Sequence, residues 1–158
     1  MNYRSTRNNT IRKNDKTALL QGLSEDGGLF VLENFNEKKI DLKNLLDKSY
    51  TDIAFEVLKL FFSFDESKLK SVIEKAYSKF STSKVTPLVE LKDAYVLELF
   101  HGPTSAFKDV ALTLLPYLIQ LALEGSDQEI LILTATSGDT GKAALEGLSL
   151  IHIWRCRR

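Results

Sequence analysis

Residues 129–145 read EILILTATSGDTGKAAL, and this stretch decides the fold. Its first part, 129–136, is a near-continuous apolar run, the pattern of a strand buried on both faces of a parallel sheet. Residues 137–141 form a tight loop, and Lys142-Ala143-Ala144-Leu145 opens a helix. The segments just upstream repeat that order. Residues 95–100 predict a short strand, 101–105 a loop, and 106–124 an apolar-rich helix stopped at Gly125. Pro116 lies inside this helix, removes one backbone hydrogen bond, and predicts a kink or split. Strand, helix, strand and helix joined by short loops predict an α/β fold built on an open parallel sheet. Thr86-Pro87-Leu88 opens this part, behind the linker Ser81-Thr82-Ser83-Lys84.

Upstream the pattern is different and mainly helical. Residues 3–11 are polar and weakly β-like, and Glu25-Asp26-Gly27-Gly28 is a turn signal ahead of Leu29-Phe30-Val31-Leu32. Ile53, Ala54, Val57, Leu58, Phe61 and Phe62 then share one helix face, with Ser49 or Thr51 as its cap. Leu69, Val72, Ile73, Ala76, Tyr77 and Phe80 share another, behind Asp65. Both stripes read as core packing.

Composition narrows the functional classes. The 158 residues are 44% hydrophobic and 27% charged, which suits a globular chain. Cys156, the one cysteine, has no internal bridging partner. No apolar run reaches the roughly 18 residues of a membrane helix. The polar, basic start has no apolar segment of the kind a secretory signal needs, so a cytoplasmic protein is expected. The balanced total charge hides an acidic middle: residues 17–154 carry 13 basic and 20 acidic side chains. A nucleic-acid binder needs a basic face on its folded body, and none is legible.

Ligands of open α/β sheets bind beyond the carboxyl ends of the strands, where two loops stand out. The first reads His101-Gly102-Pro103-Thr104-Ser105-Ala106-Phe107-Lys108-Asp109. Lys108 sits just ahead of a helix, where the helix dipole opposes an ammonium; the neutral amine is the form that makes a Schiff base with an aldehyde. The same residue also fits a surface lysine whose stem covers apolar area. The second loop reads Thr134-Ala135-Thr136-Ser137-Gly138-Asp139-Thr140-Gly141. Its glycines allow close backbone approach, and amides at a helix start bind anions. Asp139 would repel a phosphate but suits a site that holds a carboxylate by backbone donors. Asp139 or Thr140 as a plain helix cap fits equally well. The P-loop pattern fails, because it needs glycine at 136 and Ser or Thr at 143, where Thr136 and Ala143 stand. With His101 and His152 the only imidazoles, a metal site has little to stand on.

H-G-P-T-x-A-F-K-D followed by A-T-S-G-D-T-G resembles the threonine synthase family, pyridoxal-phosphate enzymes of the tryptophan synthase β-like fold type. Tyr3-Arg4-Ser5-Thr6-Arg7, Asp26-Gly27-Gly28-Leu29-Phe30-Val31 and Thr86-Pro87-Leu88 match further motifs of the family in order. The resemblance implies an N-terminal region over 1–82 and the start of the cofactor-binding catalytic domain over 83–147. It also implies conversion of O-phospho-L-homoserine and water to L-threonine and phosphate, a carbon–oxygen lyase reaction. Lys108 is then the lysine that carries pyridoxal phosphate and the base that moves protons at the substrate's α and β carbons. Ser137, Gly138, Thr140 and Gly141 bind the substrate carboxylate, and Asp139 lies near the cofactor ring's phenolic oxygen. A paralogous lyase acting on a related phosphorylated or hydroxyl amino acid is the alternative within the fold type.

The chain departs from the family at Asn8, where glycine is common, and at Leu32, where proline often stands. Its eight glycines include no glycine-rich loop for the cofactor phosphate, so the 158 residues read as a truncated, catalytically incompetent fragment. Residues 148–158 break the acidic trend, hold the only Trp and Cys, and read as an artefactual tail of the kind a translated sequencing adapter leaves.

Overall fold

The computed structural model describes residues 1–128, 130–131, 133–136 and 138–148. The chain divides into two compact units, Met1–Lys70 with Ile119–Asp127, and Ser71–Leu118 with the described residues from 128 to 148.

In the first unit, Asn2–Ser5 (β1) is the middle strand of an antiparallel sheet, between Arg12–Asn14 (β2) and Phe30–Leu32 (β3). Tyr3 pairs with Lys13 on one side and Leu32 on the other. Strand alternation turns Tyr3 and Ser5 inward and leaves Asn2 exposed. Tyr3 and Leu32 pack with Ala18 of helix α1 (Asp15–Gln21), and Met1 and Phe30 close the margin of this small core. The Asn14 side chain caps α1 by accepting the Thr17 amide at 2.8 Å. This helix is absent from the sequence reading because seven residues are too few to show a helical period.

The two opening motifs are stitched to each other. Ser5 donates its hydroxyl to Asp26 at 2.8 Å, and the Gly28 amide donates to the same carboxylate at 2.9 Å. The Thr6 amide donates to the Leu29 carbonyl at 2.9 Å, and the Leu29 amide returns to the Thr6 hydroxyl at 3.0 Å. The Gly28 bond, against some desolvation and with help from Ser5, holds the Asp26 carboxyl below the usual carboxylate range.

Helix α2 (Tyr50–Leu58) starts at Ser49, whose hydroxyl accepts the Asp52 amide at 3.2 Å. Helix α3 (Glu66–Tyr77) starts behind Asp65, which accepts the Lys68 amide at 3.0 Å. Both caps are those the sequence predicts. The α3 stripe is buried at Leu69, Ile73, Ala76 and Tyr77, and Phe80 stays buried just past the helix end.

In the second unit, Leu88–Glu90 (β4) and Tyr95–Leu97 (β5) form an antiparallel hairpin whose residues are all exposed. The predicted helix over 106–124 is split at Pro116 as expected, into α4 (Asp109–Leu112) and α5 (Leu115–Leu123). Pro116 falls in the first turn of α5, where a missing N–H breaks no intrahelical bond. Helix α6 (Asp139–Leu148) packs on α4. Gly147 lies so close to Leu112 that a Cβ there would meet the Leu112 carbonyl oxygen at 2.2 Å.

Two expectations about the sheet are corrected. Tyr95–Leu97 pairs antiparallel with Leu88–Glu90 rather than in a parallel ladder, because the four intervening residues close a tight turn in which the Leu91 amide reaches the Ala94 carbonyl at 2.8 Å. Of residues 129–136, the described ones form no strand, and Leu131 and Leu133 are 81% and 86% exposed. A strand buried on both faces takes its backbone partners from neighbouring strands. Among the described residues no strand lies beside them.

Candidate active site

The lysine loop is closed on itself. The Ser105 amide donates to the Gly102 carbonyl at 3.1 Å, and Ser105 adopts a left-handed φ of 59° to let the chain turn. Asp109, 1% exposed, sends its carboxylate back across the loop: one oxygen accepts the Thr104 amide and the other the Thr104 hydroxyl, each at 2.7 Å. Gly102 lies beneath that carboxylate, and a Cβ there would stand 2.3 Å from the Asp109 Cβ. Upstream, His101 is held by Glu98 at 2.6 Å and by the Ser81 hydroxyl at 3.2 Å, and stacks on Phe100.

Lys108 is the N-cap residue of α4, directly ahead of Asp109. Its carbonyl accepts the Leu112 amide at 2.9 Å, which anchors its backbone to the first helical turn. Its half-buried side chain lies with Nζ 4.4 Å from the centroid of the Phe107 ring, and among the described residues no carboxylate pairs with it. An amine fixed at its base, resting on a ring face and, among the described residues, free of an anionic partner suits attachment of an aldehyde cofactor.

In the second loop Thr136 is the organising side chain. Its hydroxyl accepts the Gly141 amide at 2.8 Å and the Gly138 amide at 3.3 Å, so Thr136, and not Asp139 or Thr140, caps α6. Asp139 and Thr140 are the first two residues of the helix. Thr134, Thr136, Gly138, Gly141 and Lys142 line an open cavity of about 440 Å³ at this helix start. Lys108 is outside that lining, and Ser137 lies outside the described residues. Asp109 and Thr136 are the two site-shaping residues the sequence reading does not find. Among the described residues no cluster of metal-ligating side chains occurs, and no helix is long and apolar enough to cross a membrane.

A family profile described as "Threonine synthase N terminus" matches residues 2–77. Over 151 residues the chain is 41% identical to threonine synthase of Pseudomonas aeruginosa, covering 93% of this chain and 32% of that protein. The chain is similar to threonine synthases over nearly its whole length. A PLP-bound threonine synthase from Brucella melitensis superposes with a TM-score of 0.86 at 38% identity, over 93% of this chain and 32% of that one. The fold class is that of these threonine synthases, of which the chain holds a mixed α/β part. "Threonine synthase-like 2" of Xenopus laevis matches at 34% identity, over 94% of this chain and 32% of that protein. The chain thus spans about a third of the length of the threonine synthases it matches.

Proposed function

We propose that this chain is part of an enzyme converting O-phospho-L-homoserine and water to L-threonine and phosphate, with pyridoxal phosphate held on Lys108. The observation that carries the reading is the Lys108 amine, without a carboxylate partner among the described residues, at the end of a loop clasped by Asp109, in a chain 41% identical to a threonine synthase over 151 residues. The solved relative from Brucella melitensis binds PLP, which supports the same cofactor here. Pyridoxal phosphate, when bound, supplies the electron sink that makes carbanion chemistry feasible at the substrate.

The chain's own residues do the rest. Lys108 would hold the cofactor through its amine, and the same amine would carry protons between the substrate's α and β carbons. Gly138, Thr140 and Gly141 at the start of α6, together with Ser137, would receive the substrate carboxylate, since the helix dipole there favours an anion. Asp139 would lie near the phenolic oxygen of the cofactor ring.

The test is visible absorption of the purified chain with pyridoxal phosphate. A long-wavelength band that disappears in Lys108→Ala supports the assignment, and an unchanged band in the variant overturns it. The 34% match to "Threonine synthase-like 2" favours a second reading, a paralogous lyase on a related phosphorylated or hydroxyl amino acid. Product analysis on the protein extended to the length of its relatives separates the two. Threonine supports the first reading, and a keto acid with intact cofactor binding supports the second.

A further inference from the structure

We infer that Asp109 is a positioning residue for Lys108, acting through a clasp on Thr104. The inference rests on the reading of Lys108 given above and adds a role for its neighbour. An aspartate in the first turn of a helix ordinarily turns its carboxylate toward the free amides of that turn. Asp109 does the opposite. Both of its oxygens reach back five residues, to the Thr104 amide and the Thr104 hydroxyl at 2.7 Å each.

A buried carboxylate is retained only where its acceptor capacity is met, and here Thr104 supplies a donor to each oxygen. Three further features make the clasp specific. The side chain is almost fully buried. Gly102 leaves no volume between loop and carboxylate, with the place of a Cβ lying 2.5 Å from an Asp109 oxygen. The left-handed Ser105 turns the chain so that Thr104 can face Asp109.

Residues 102–109 therefore form a closed ring of backbone with Lys108 as its penultimate member. The Asp109 amide donates to the Ala106 carbonyl at 3.0 Å, which leaves Lys108 little backbone freedom within that ring. With the base of the side chain fixed, the amine is delivered from one direction. Positioning of this kind decides rates, because an ångström of displacement at a reacting atom costs about a hundredfold.

The experiment reads covalent capture at Lys108 rather than turnover. The 158-residue chain is treated with pyridoxal phosphate and then borohydride. The amine nitrogen bonds to the aldehyde carbon with loss of water, and hydride from borohydride reduces the resulting double bond to a stable amine. Peptide mapping then gives the rate of labelling at each lysine, and circular dichroism checks the fold. Asp109→Asn keeps the shape but replaces one acceptor oxygen by a donor. It is expected to slow labelling at Lys108 by about tenfold, within the cost of a displaced reacting group, and to leave the other lysines unchanged. Thr104→Val is expected to slow it too, and Thr104→Ser, which restores the hydroxyl, to label at the parent rate.

Equal labelling of Lys108 in the parent chain, Asp109→Asn and Thr104→Val overturns the clasp while leaving the cofactor lysine in place. If the parent chain is labelled at another lysine and not at Lys108, the underlying assignment fails and the clasp with it. Should Asp109→Asn not fold, the contrast between Thr104→Val and Thr104→Ser decides.

Discussion

Tyr3 donates its hydroxyl to the Phe61 carbonyl at 2.7 Å from a buried position, and burial, with the Asp15 carboxylate adding to it, pushes its pKa up to about 12. The folded chain keeps that proton where an unfolded chain has released it. Tyr3 therefore contributes stability that is complete below pH 10 and lost as pH rises through about 12. Asp15 behaves in the opposite sense. Burial opposes its ionisation, but hydrogen bonds from the Ser63 amide and hydroxyl and the charge of the Met1 ammonium at 3.5 Å prevail and hold its carboxyl below the ordinary 3.8. Its contribution is complete above 3.8 and disappears as pH falls through the lower, folded value. Urea midpoints measured across pH check both. Tyr3→Phe should flatten the alkaline limb and cost about 1–3 kcal/mol at neutral pH, because the Phe61 carbonyl loses its partner. Asp15→Asn should flatten the acid limb.

At the scale of elements, helix α6 depends on two contacts that carry opposite lessons. Thr136→Val removes the hydroxyl that caps the helix and should lower stability by about 1 kcal/mol in denaturant unfolding. Gly147→Ala inverts the usual rule. In an open helix interior alanine gains about 1 kcal/mol over glycine. Here the new methyl would lie 2.2 Å from a backbone oxygen, so α6 must move off α4 and the variant should be less stable by about 1–3 kcal/mol. The Leu112 carbonyl is four residues ahead of Pro116, which has no N–H to offer it, so proline and glycine together shape this crossing.

Much of this was legible beforehand. The caps at Ser49 and Asp65, the buried stripe of α3, the turn before Phe30 and the break at Pro116 each follow from residues within one turn of one another. Asp109 and Thr136 were not legible, since an Asp after a Lys and a Thr five residues ahead of a Gly are common pairings whose meaning depends on loop closure. The apolar run over 129–136 has the composition of a strand, yet its described residues form none, because pairing is a property of neighbours and a single segment carries no information about whether they are there.

At the scale of the whole molecule, the exposed apolar residues fall into a pattern. Leu88, Tyr95 and Leu97 of the hairpin, and Leu131 and Leu133 beyond α5, all present large side chains to solvent. A short hairpin whose outer edges find no strand among the described residues is a template for added strands, and apolar faces strengthen that tendency. The chain should therefore self-associate with rising concentration, as followed by light scattering. Val96→Lys should reduce this association without altering the midpoint of unfolding, since Val96 is exposed. The N-terminal sheet shows the contrary behaviour. Its Ser5–Asp26 link spans only 21 residues, so it can close while the ribosome is still adding the residues that follow. Vectorial synthesis can then complete the strand pairing of residues 2–32 before the segment that carries Lys108 has been made, while the contacts of Tyr3 and Asp15 with Phe61 and Ser63 wait for those residues to emerge.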